Sequence, residues 1–188
     1  LAGLMVNLAD NIMLGRYTEL ALSGATLVNQ IQFLLQQIIS CIGMGIVVLA
    51  SQYWGERRTE PIRRIISLGC KIGLVIGIIF FLTTQLFPSQ ILSLLTNDTV
   101  ILNEGLKYLK IISWTYLIFS ISKSLMYSLQ SVETAMIGTV MEVSTICINV
   151  CINTCLIYGK FGFPELGIEG AAIATVISRS IELFIIII

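Results

Sequence analysis

Six mostly apolar stretches follow one another along the chain, separated by shorter polar connections. A helix that crosses a bilayer needs about 20 mostly apolar residues, and most of these stretches reach that length. The pattern therefore predicts an all-α integral membrane protein. We expect its transmembrane helices at about residues 1–15, 25–50, 65–87, 106–130, 136–158 and 170–188.

Both ends of the sequence lie inside apolar stretches. It begins "LAGLMV", without a Met or a polar leader, and it ends "ELFIIII". No cleavable signal peptide is visible. We therefore expect the chain to be an internal piece of a longer membrane protein, truncated at both ends.

Composition strengthens the membrane prediction and excludes other classes. Apolar residues make up 56% of the chain and charged residues 12%, against about 25% charged residues in a typical soluble domain. The formal net charge is zero, so we expect no nucleic acid partner. There is no histidine, no nucleophile motif and no phosphate-binding glycine loop. We therefore expect neither an enzyme nor a bound cofactor.

The charged connections predict an orientation in the membrane. The loop at 55–64, "GERRTEPIRR", contains four arginines, and the positive-inside rule assigns it to the cytoplasm. The connection "SVET" at 131–134 then also faces the cytoplasm. The connections at 16–23, 88–105 and 158–170 face the outside, and the loop at 88–105 could hold a short interfacial helix.

The second apolar stretch carries an unusual line of polar residues. Asn29, Gln32, Gln36 and Ser40 are spaced by three and four residues, so they share one face of a helix. Polar amides that face lipid are costly. We interpret this face as the lining of a hydrated cavity, with interhelical hydrogen bonding as the alternative.

The fifth stretch carries a second polar face. Glu142, Asn149 and Asn153 fall within about 40° of one another on a helix. The two amides lie one turn apart, which suits the binding of a hard cation or the positioning of a carboxylate. Packing by hydrogen bonds is the alternative. The opposite side carries three cysteines, which we interpret as small, buried packing residues: Cys147, Cys151 and Cys155.

The sixth stretch places Thr175, Arg179 and Glu182 on one face, at spacings of four and three. Arg179 and Glu182 can pair with each other, which reduces the cost of each charge inside the membrane. We interpret that pair as mainly structural. Thr175 adds a hydroxyl group to the same face.

Asp10 is a carboxylate in the middle of the first apolar stretch. An ionisable residue inside the membrane is a functional-site hypothesis by default. Burial favours the protonated form of a carboxylate, so Asp10 could bind and release a proton. With amide and hydroxyl oxygens nearby, it could bind sodium instead. The alternative is a hydrated residue near the outer end of its helix.

Three segments resemble the multidrug and toxic compound extrusion (MATE) family of secondary transporters. They read "NLADNIMLGRYTELALSGATL", "GMGIVVLASQYWGERR" and "INVCINTCLIYGKFGFPELGIEGAAIATVIS". The resemblance implies a twelve-helix protein built from two six-helix lobes around a central cavity. Residues 1–188 would form the N-terminal lobe, and the C-terminal lobe of the same chain would be its partner.

The resemblance also implies a function. Family members export cationic, lipophilic compounds across the cell membrane by alternating access, in exchange for protons or sodium. The partners would be a small organic cation and membrane lipid. Two alternatives stay open, namely a flippase for lipid-linked oligosaccharides and a membrane scaffold that transports nothing.

The family's cation site matches four positions of this sequence: Asp10, Asn149, Asn153 and Thr175. Na⁺ could bind at the same four residues. The lining of the cavity would include Asn29, Gln32, Gln36 and Glu142. The pair Asn149 and Asn153 departs from members of the family that have Asn followed by Asp, so this site has one carboxylate fewer than theirs. This leaves the choice between H⁺ and Na⁺ open.

Overall fold

The computed structural model describes residues 2–131 and 135–187, which are almost entirely helical. Three parts of the sequence lie outside the described residues. They are residues 1 and 188, at the ends of the first and last predicted helices, and residues 132–134 of the "SVET" connection. Eight α-helices and one short 3₁₀ helix, Lys160–Gly162, make up the described part. The α-helices are α1 (Ala2–Tyr17), α2 (Glu19–Gly55), α3 (Thr59–Leu86), α4 (Pro88–Ser93), α5 (Thr99–Ile112), α6 (Trp114–Ser131), α7 (Ala135–Ile157) and α8 (Gly167–Ile187).

The second helix is longer than its apolar stretch. Thr18 caps its N-terminus, because its hydroxyl oxygen accepts a hydrogen bond from the Ala21 amide at 3.1 Å. The helix therefore begins six residues before the predicted start and continues to Gly55. Its 37 residues extend about 55 Å, which is more than the hydrocarbon thickness of a bilayer.

The fourth predicted helix, 106–130, is wrong as a single element. It is divided at Ser113 into α5 and α6, and α5 begins earlier, at Thr99, where Asp98 caps it. At the division, the side-chain amide of Gln85 in α3 donates to the Lys110 carbonyl at 3.2 Å and to the Ser113 hydroxyl at 2.9 Å. These bonds satisfy polar groups that the local break in the helix frees.

Four of the described helices are long and apolar enough to cross a membrane. They are α2, α3, the part Gly138–Ile157 of α7, and α8. The described part of α1 has 16 residues, and the predicted fourth span is divided at Ser113. Six membrane crossings therefore stay a prediction.

α2 lies at the centre of the bundle and packs against α3, α5 and α6, while α7 and α8 pack against each other and α1 lies along α7 and α2. The buried core includes Leu35, Ile39, Tyr108 and Tyr116. Many large apolar side chains are exposed on the outer surface of the bundle, as a lipid-facing surface requires.

The cysteines of α7 belong to that outer surface. Cys147 and Cys151 are exposed and Cys155 is partly exposed, so their interpretation as buried packing residues is wrong. The physical reason is the helical period: Asn149 and Asn153 face the protein interior, which turns the opposite side of α7 outward.

α7 and α8 approach each other closely at Gly170. A Cβ atom on this residue would lie 2.6 Å from the Leu156 carbonyl oxygen, so no larger residue fits without moving a backbone. Ala171, Ala172 and Ala174 follow and are fully buried. This small-residue contact brings the polar faces of α7 and α8 together.

Candidate functional site

A buried polar cluster joins three helices that are far apart in sequence. It contains Asp10 from α1, Asn149 and Asn153 from α7, and Thr175 from α8, and each residue is at most 1% exposed. One carboxylate oxygen of Asp10 accepts a hydrogen bond from the Asn153 side-chain amide. The other accepts from the Thr175 hydroxyl at 3.0 Å. The four residues predicted as the cation site therefore lie side by side.

The second layer of the cluster links α7 to α8. The Asn153 amide also donates to the Asn149 side-chain oxygen at 3.0 Å. The Asn149 amide in turn donates to the hydroxyls of Thr175 at 3.2 Å and Ser178 at 3.4 Å. Our reading of the sequence missed Ser178, although its position three residues after Thr175 puts it on the same helical face.

The chemistry of this polar cluster suits one monovalent cation. Asp10 supplies the negative charge, and amide and hydroxyl oxygens surround it, which are ligands that hard cations prefer. The Asn153 side-chain oxygen is buried and has no hydrogen-bond partner within the described ranges. In the described part of the chain, no group of three or more His, Cys, Asp or Glu residues could hold a metal ion.

The polar residues on one face of α2 lie in different environments. The Asn29 amide donates to the Asn11 side-chain oxygen of α1 at 3.0 Å, and Asn29 lines an open cavity of about 500 Å³. Gln32 is 3% exposed. Gln36 lines a smaller, polar cavity of about 140 Å³ near α6 and α7. The interhelical hydrogen bond that was the alternative for this face is present at Asn29, and the lining of a hydrated cavity stays a prediction.

Glu142 lies on the wall of that smaller cavity rather than beside Asp10. Its carboxylate pairs with the Lys123 ammonium of α6. On α8, the predicted pairing of Arg179 with Glu182 is present at 2.7 Å, and both residues are 2% exposed. The Lys123 nitrogen is also 3.8 Å from a Glu182 oxygen, so these four residues form one connected group, which we call the charge tetrad.

Phe119 lies close to both cations of the charge tetrad. The Lys123 nitrogen is 5.8 Å and the Arg179 guanidinium carbon 5.4 Å from the centre of its ring. Cation–π attraction of this kind adds to the stabilisation of a desolvated cation.

Comparison with known proteins gives one family match and several relatives. The model of the family described as MatE matches residues 2–155. The probable multidrug resistance protein NorM of Thermotoga maritima is 28% identical over 179 residues, which is 94% of this chain and 38% of that protein. The chain thus spans about two fifths of the length of this curated relative.

Solved structures give the same picture of the fold. A crystal structure of MATE in the bent conformation matches with a TM-score of 0.90 at 18% identity, over 98% of this chain and 40% of that one. The MATE multidrug transporter DinF-BH, solved in a complex, matches with a TM-score of 0.87 at 21% identity, over 97% and 40% of the two chains. At these identities the likeness concerns the fold alone.

Proposed function

The chain belongs to the MatE family of integral membrane transporters, and from that premise we propose that its protein is a secondary active transporter. It would export cationic, lipophilic compounds from the cell in exchange for protons or sodium. The Thermotoga relative and DinF-BH both carry multidrug names, which support the export of drugs by analogy. The coupling cation is cargo in this proposal, and no bound cofactor is needed.

In this proposal, residues 1–188 form the N-terminal lobe, with six transmembrane helices. A C-terminal lobe in the same polypeptide would complete the substrate cavity, which agrees with the coverage of about two fifths of each relative. The protein would lie in the plasma membrane with the loop at 55–64 in the cytoplasm. Arg57, Arg58, Arg63 and Arg64 of that loop and the adjoining turn of α3 are all exposed, as the positive-inside rule requires.

The polar cluster around Asp10 is the observation that carries the proposal. A carboxylate that is 1% exposed would be costly if its only role were to join three helices, because apolar packing could do the same. Donors from α7 and α8 hold its two oxygens. Binding of a cation at Asp10 would therefore change the hydrogen bonds that hold α1, α7 and α8 together.

Coupling follows from that change. With Asp10 ionised, the protein would favour the state that accepts the exported compound. Cation entry from outside would neutralise Asp10, alter the packing of the three helices and favour outward release. Exchange arises because cation and compound prefer opposite states of one two-state protein.

The two alternative functions predict different features. A flippase for lipid-linked oligosaccharides would need a basic cavity to hold its phosphate groups, but Lys123 and Arg179 are each paired with a glutamate. A scaffold that transports nothing would tolerate the replacement of Asp10 or Asn153 without loss of activity.

The test uses the full-length protein in liposomes that contain a fluorescent cationic dye. A pH gradient and a sodium gradient are imposed separately on the wild type and on Asp10→Asn. We expect one gradient to drive dye movement in the wild type and the variant to lose it. Gradient-driven movement that persists unchanged in Asp10→Asn would exclude Asp10 from coupling. If neither gradient moves dye in the wild type, antiport of this substrate class is wrong.

A further inference from the structure

A line of buried polar side chains runs between α7 and α8, away from Asp10, and hydrogen bonds join its members from Asn153 to Ser178. We call it the polar seam. Its members are spaced by three and four residues on α7 and by three, one and three on α8, so each set shares one helical face. Apart from Glu142, whose side chain is 26% exposed, each is at most 3% exposed. The polar seam consists of Glu142, Thr145, Asn149 and Asn153 on α7 and of Thr175, Ser178, Arg179 and Glu182 on α8.

The polar seam connects two different places in the protein. One end is the hydrogen-bonded cluster of Asp10, and the other is the Lys123–Glu142 pair on the wall of the 140 Å³ cavity. From Asn153 to Glu142 the distance along α7 is about 16 Å. The cavity has space for a few water molecules, each of which occupies about 30 Å³ in the liquid. In the proposed orientation, this cavity lies toward the cytoplasm.

The charges along the seam balance when one proton is added. Asp10, Glu142 and Glu182 are acidic, and Lys123 and Arg179 are basic. Fully ionised, the five groups carry one negative charge in excess. One bound proton makes the set neutral, whether the proton lies on Asp10 or on Glu142. A proton can therefore move between them without a net charge appearing in the buried region, where it would be costly.

A second ion pair is possible within the charge tetrad, between Lys123 and Glu182. Glu182 Oε1 has no hydrogen-bond partner among the described residues, and the Lys123 nitrogen is 3.8 Å away from it. Two nitrogens of Arg179, Nε and Nη2, are likewise buried without a partner in the described part of the protein. If Glu142 became neutral, Lys123 would still have a carboxylate within reach.

We propose that the polar seam carries protons between Asp10 and the cytoplasmic cavity, and that Glu142 is a second proton-binding site of the transporter. The Asp10 carboxyl releases its proton to the hydroxyls of the seam and to water, and the Glu142 carboxylate takes up a proton at the other end. The Lys123–Glu142 ion pair then opens, and the ammonium turns toward Glu182. Glu142 then releases its proton to water in the cytoplasmic cavity and pairs with Lys123 again. Asp10 is left ionised, with Arg179 one turn beyond its Thr175 partner.

This inference rests on the proposed function and adds the identity of the cation. A proton on Asp10 can be accommodated if the Thr175 hydroxyl turns from the Asp10 carboxylate to the Ala171 carbonyl oxygen, each of which is 3.0 Å away. Protonation then breaks the α1–α8 hydrogen bond, as coupling requires. A sodium ion would need those donors replaced by several oxygen ligands. A series of hydroxyl side chains that leads to a carboxylate, here that of Glu142, suits the transfer of a proton.

The first experiment measures the role of Glu142 in the full-length protein in liposomes. We expect Glu142→Gln to slow dye movement driven by a pH gradient about tenfold or more and to flatten its pH dependence. Glu142→Asp keeps a carboxylate at this position and should restore part of the rate. The matched control is Glu60→Gln, which removes a carboxylate from an exposed ion pair with Arg64. Wild-type rates in Glu142→Gln, or transport driven by sodium alone, would overturn the proposal.

The second experiment tests water access to the seam and does not depend on transport. Ser178 is buried in the seam, whereas Ser180, two residues later on α8, is exposed on the outer surface of the bundle. Each is changed to Cys in a variant whose five native cysteines are alanine, and a small, water-soluble thiol reagent is added. We expect Ser178→Cys to react faster than Ser180→Cys, because a thiol that faces lipid stays un-ionised. The reverse order would exclude a hydrated seam even if antiport is confirmed, and absence of dye movement in the wild type would refute antiport whichever order is found.

Discussion

The Thr175 hydroxyl donates a hydrogen bond to the Asp10 carboxylate at 3.0 Å, although 165 positions separate the two residues in the sequence. This contact joins α8 directly to α1. Because a hydrogen bond to an ionised carboxylate is stronger than one to a neutral group, the contact weakens when Asp10 binds a cation. The charge on one residue thus influences the packing of two helices.

We predict that Thr175→Val impairs transport and Thr175→Ser does not. Valine has nearly the shape of threonine but no hydroxyl, so Asp10 loses a donor worth about 1.5–3 kcal/mol, and Asn149 loses an acceptor. We expect gradient-driven dye movement to fall about tenfold or more in Thr175→Val. The control is Thr154→Val on α7, since the Thr154 hydroxyl bonds to the Val150 carbonyl of its own helix. Equal rates in Thr175→Val and the wild type would contradict a role for this hydroxyl.

Asn153→Asp places a second carboxylate against Asp10. Two carboxylates in contact cannot both stay ionised without a bound cation between them. We therefore expect the melting temperature of the variant to rise more steeply than that of the wild type when the pH is lowered from about 8 to about 6, because protonation removes the repulsion. Asn29→Asp is the matched control, since Asn29 contacts Asn11 instead. Identical pH responses of all three proteins would show that residue 153 does not share a cation with Asp10.

The helical period was enough to predict which residues form the Asp10 cluster. It did not show how far apart along α7 the residues of one face lie. Asn149 and Asn153 face inward as predicted, and so does Glu142. Glu142, however, lies seven residues from Asn149, about 10 Å along the axis, and meets Lys123 instead of Asp10. An angular projection shows which residues share a face and hides how far apart they lie.

The break at Ser113 and the role of Ser178 depend on contacts between distant parts of the chain, which a local sequence pattern does not show. The sequence on both sides of Ser113, "YLKIISWTYLIF", has no glycine or proline to signal a break. The groups at this break are satisfied by Gln85, which lies 28 positions earlier in the chain. Ser178 was missed for a similar reason, since a serine in a small-residue helix commonly bonds to its own backbone, as this one also does with Ala174.

Gly170→Ala should disturb the cluster from a distance. Its Cβ would lie 2.6 Å from the Leu156 carbonyl oxygen, so α8 must move away from α7. The hydrogen bond between Asn149 and Thr175, already 3.2 Å long, would lengthen further. We expect a loss of about 1–3 kcal/mol in stability together with slower transport. Gly45→Ala is the control, because its Cβ would meet no atom of the described residues within 4 Å. A harmless Gly170→Ala would mean that the helices are not held at this separation.

Breaking the Arg179–Glu182 pair by one substitution should lower stability much more than replacing both residues with uncharged ones. Glu182→Gln leaves the buried Arg179 charge without its counter-ion, so we expect this variant to destabilise the protein by about 3–5 kcal/mol. Arg179→Met should be less harmful, because the Lys123 nitrogen stays 3.8 Å from a Glu182 oxygen. The double variant removes both charges and should recover much of that loss. Thermal unfolding of the four proteins in detergent gives the coupling between the two residues.

The exposed pair Arg64–Glu60 provides the comparison for that cycle. Its side chains are more than three-quarters exposed, and solvent screening reduces the coupling of such a pair to about 0.3–0.5 kcal/mol. If both cycles gave similar small couplings, Arg179 and Glu182 would be solvated in the membrane protein, and Lys123 would have no buried carboxylate to move toward. A large coupling confined to the buried pair is therefore required by both the structural role of these residues and the proton transfer proposed for Glu142.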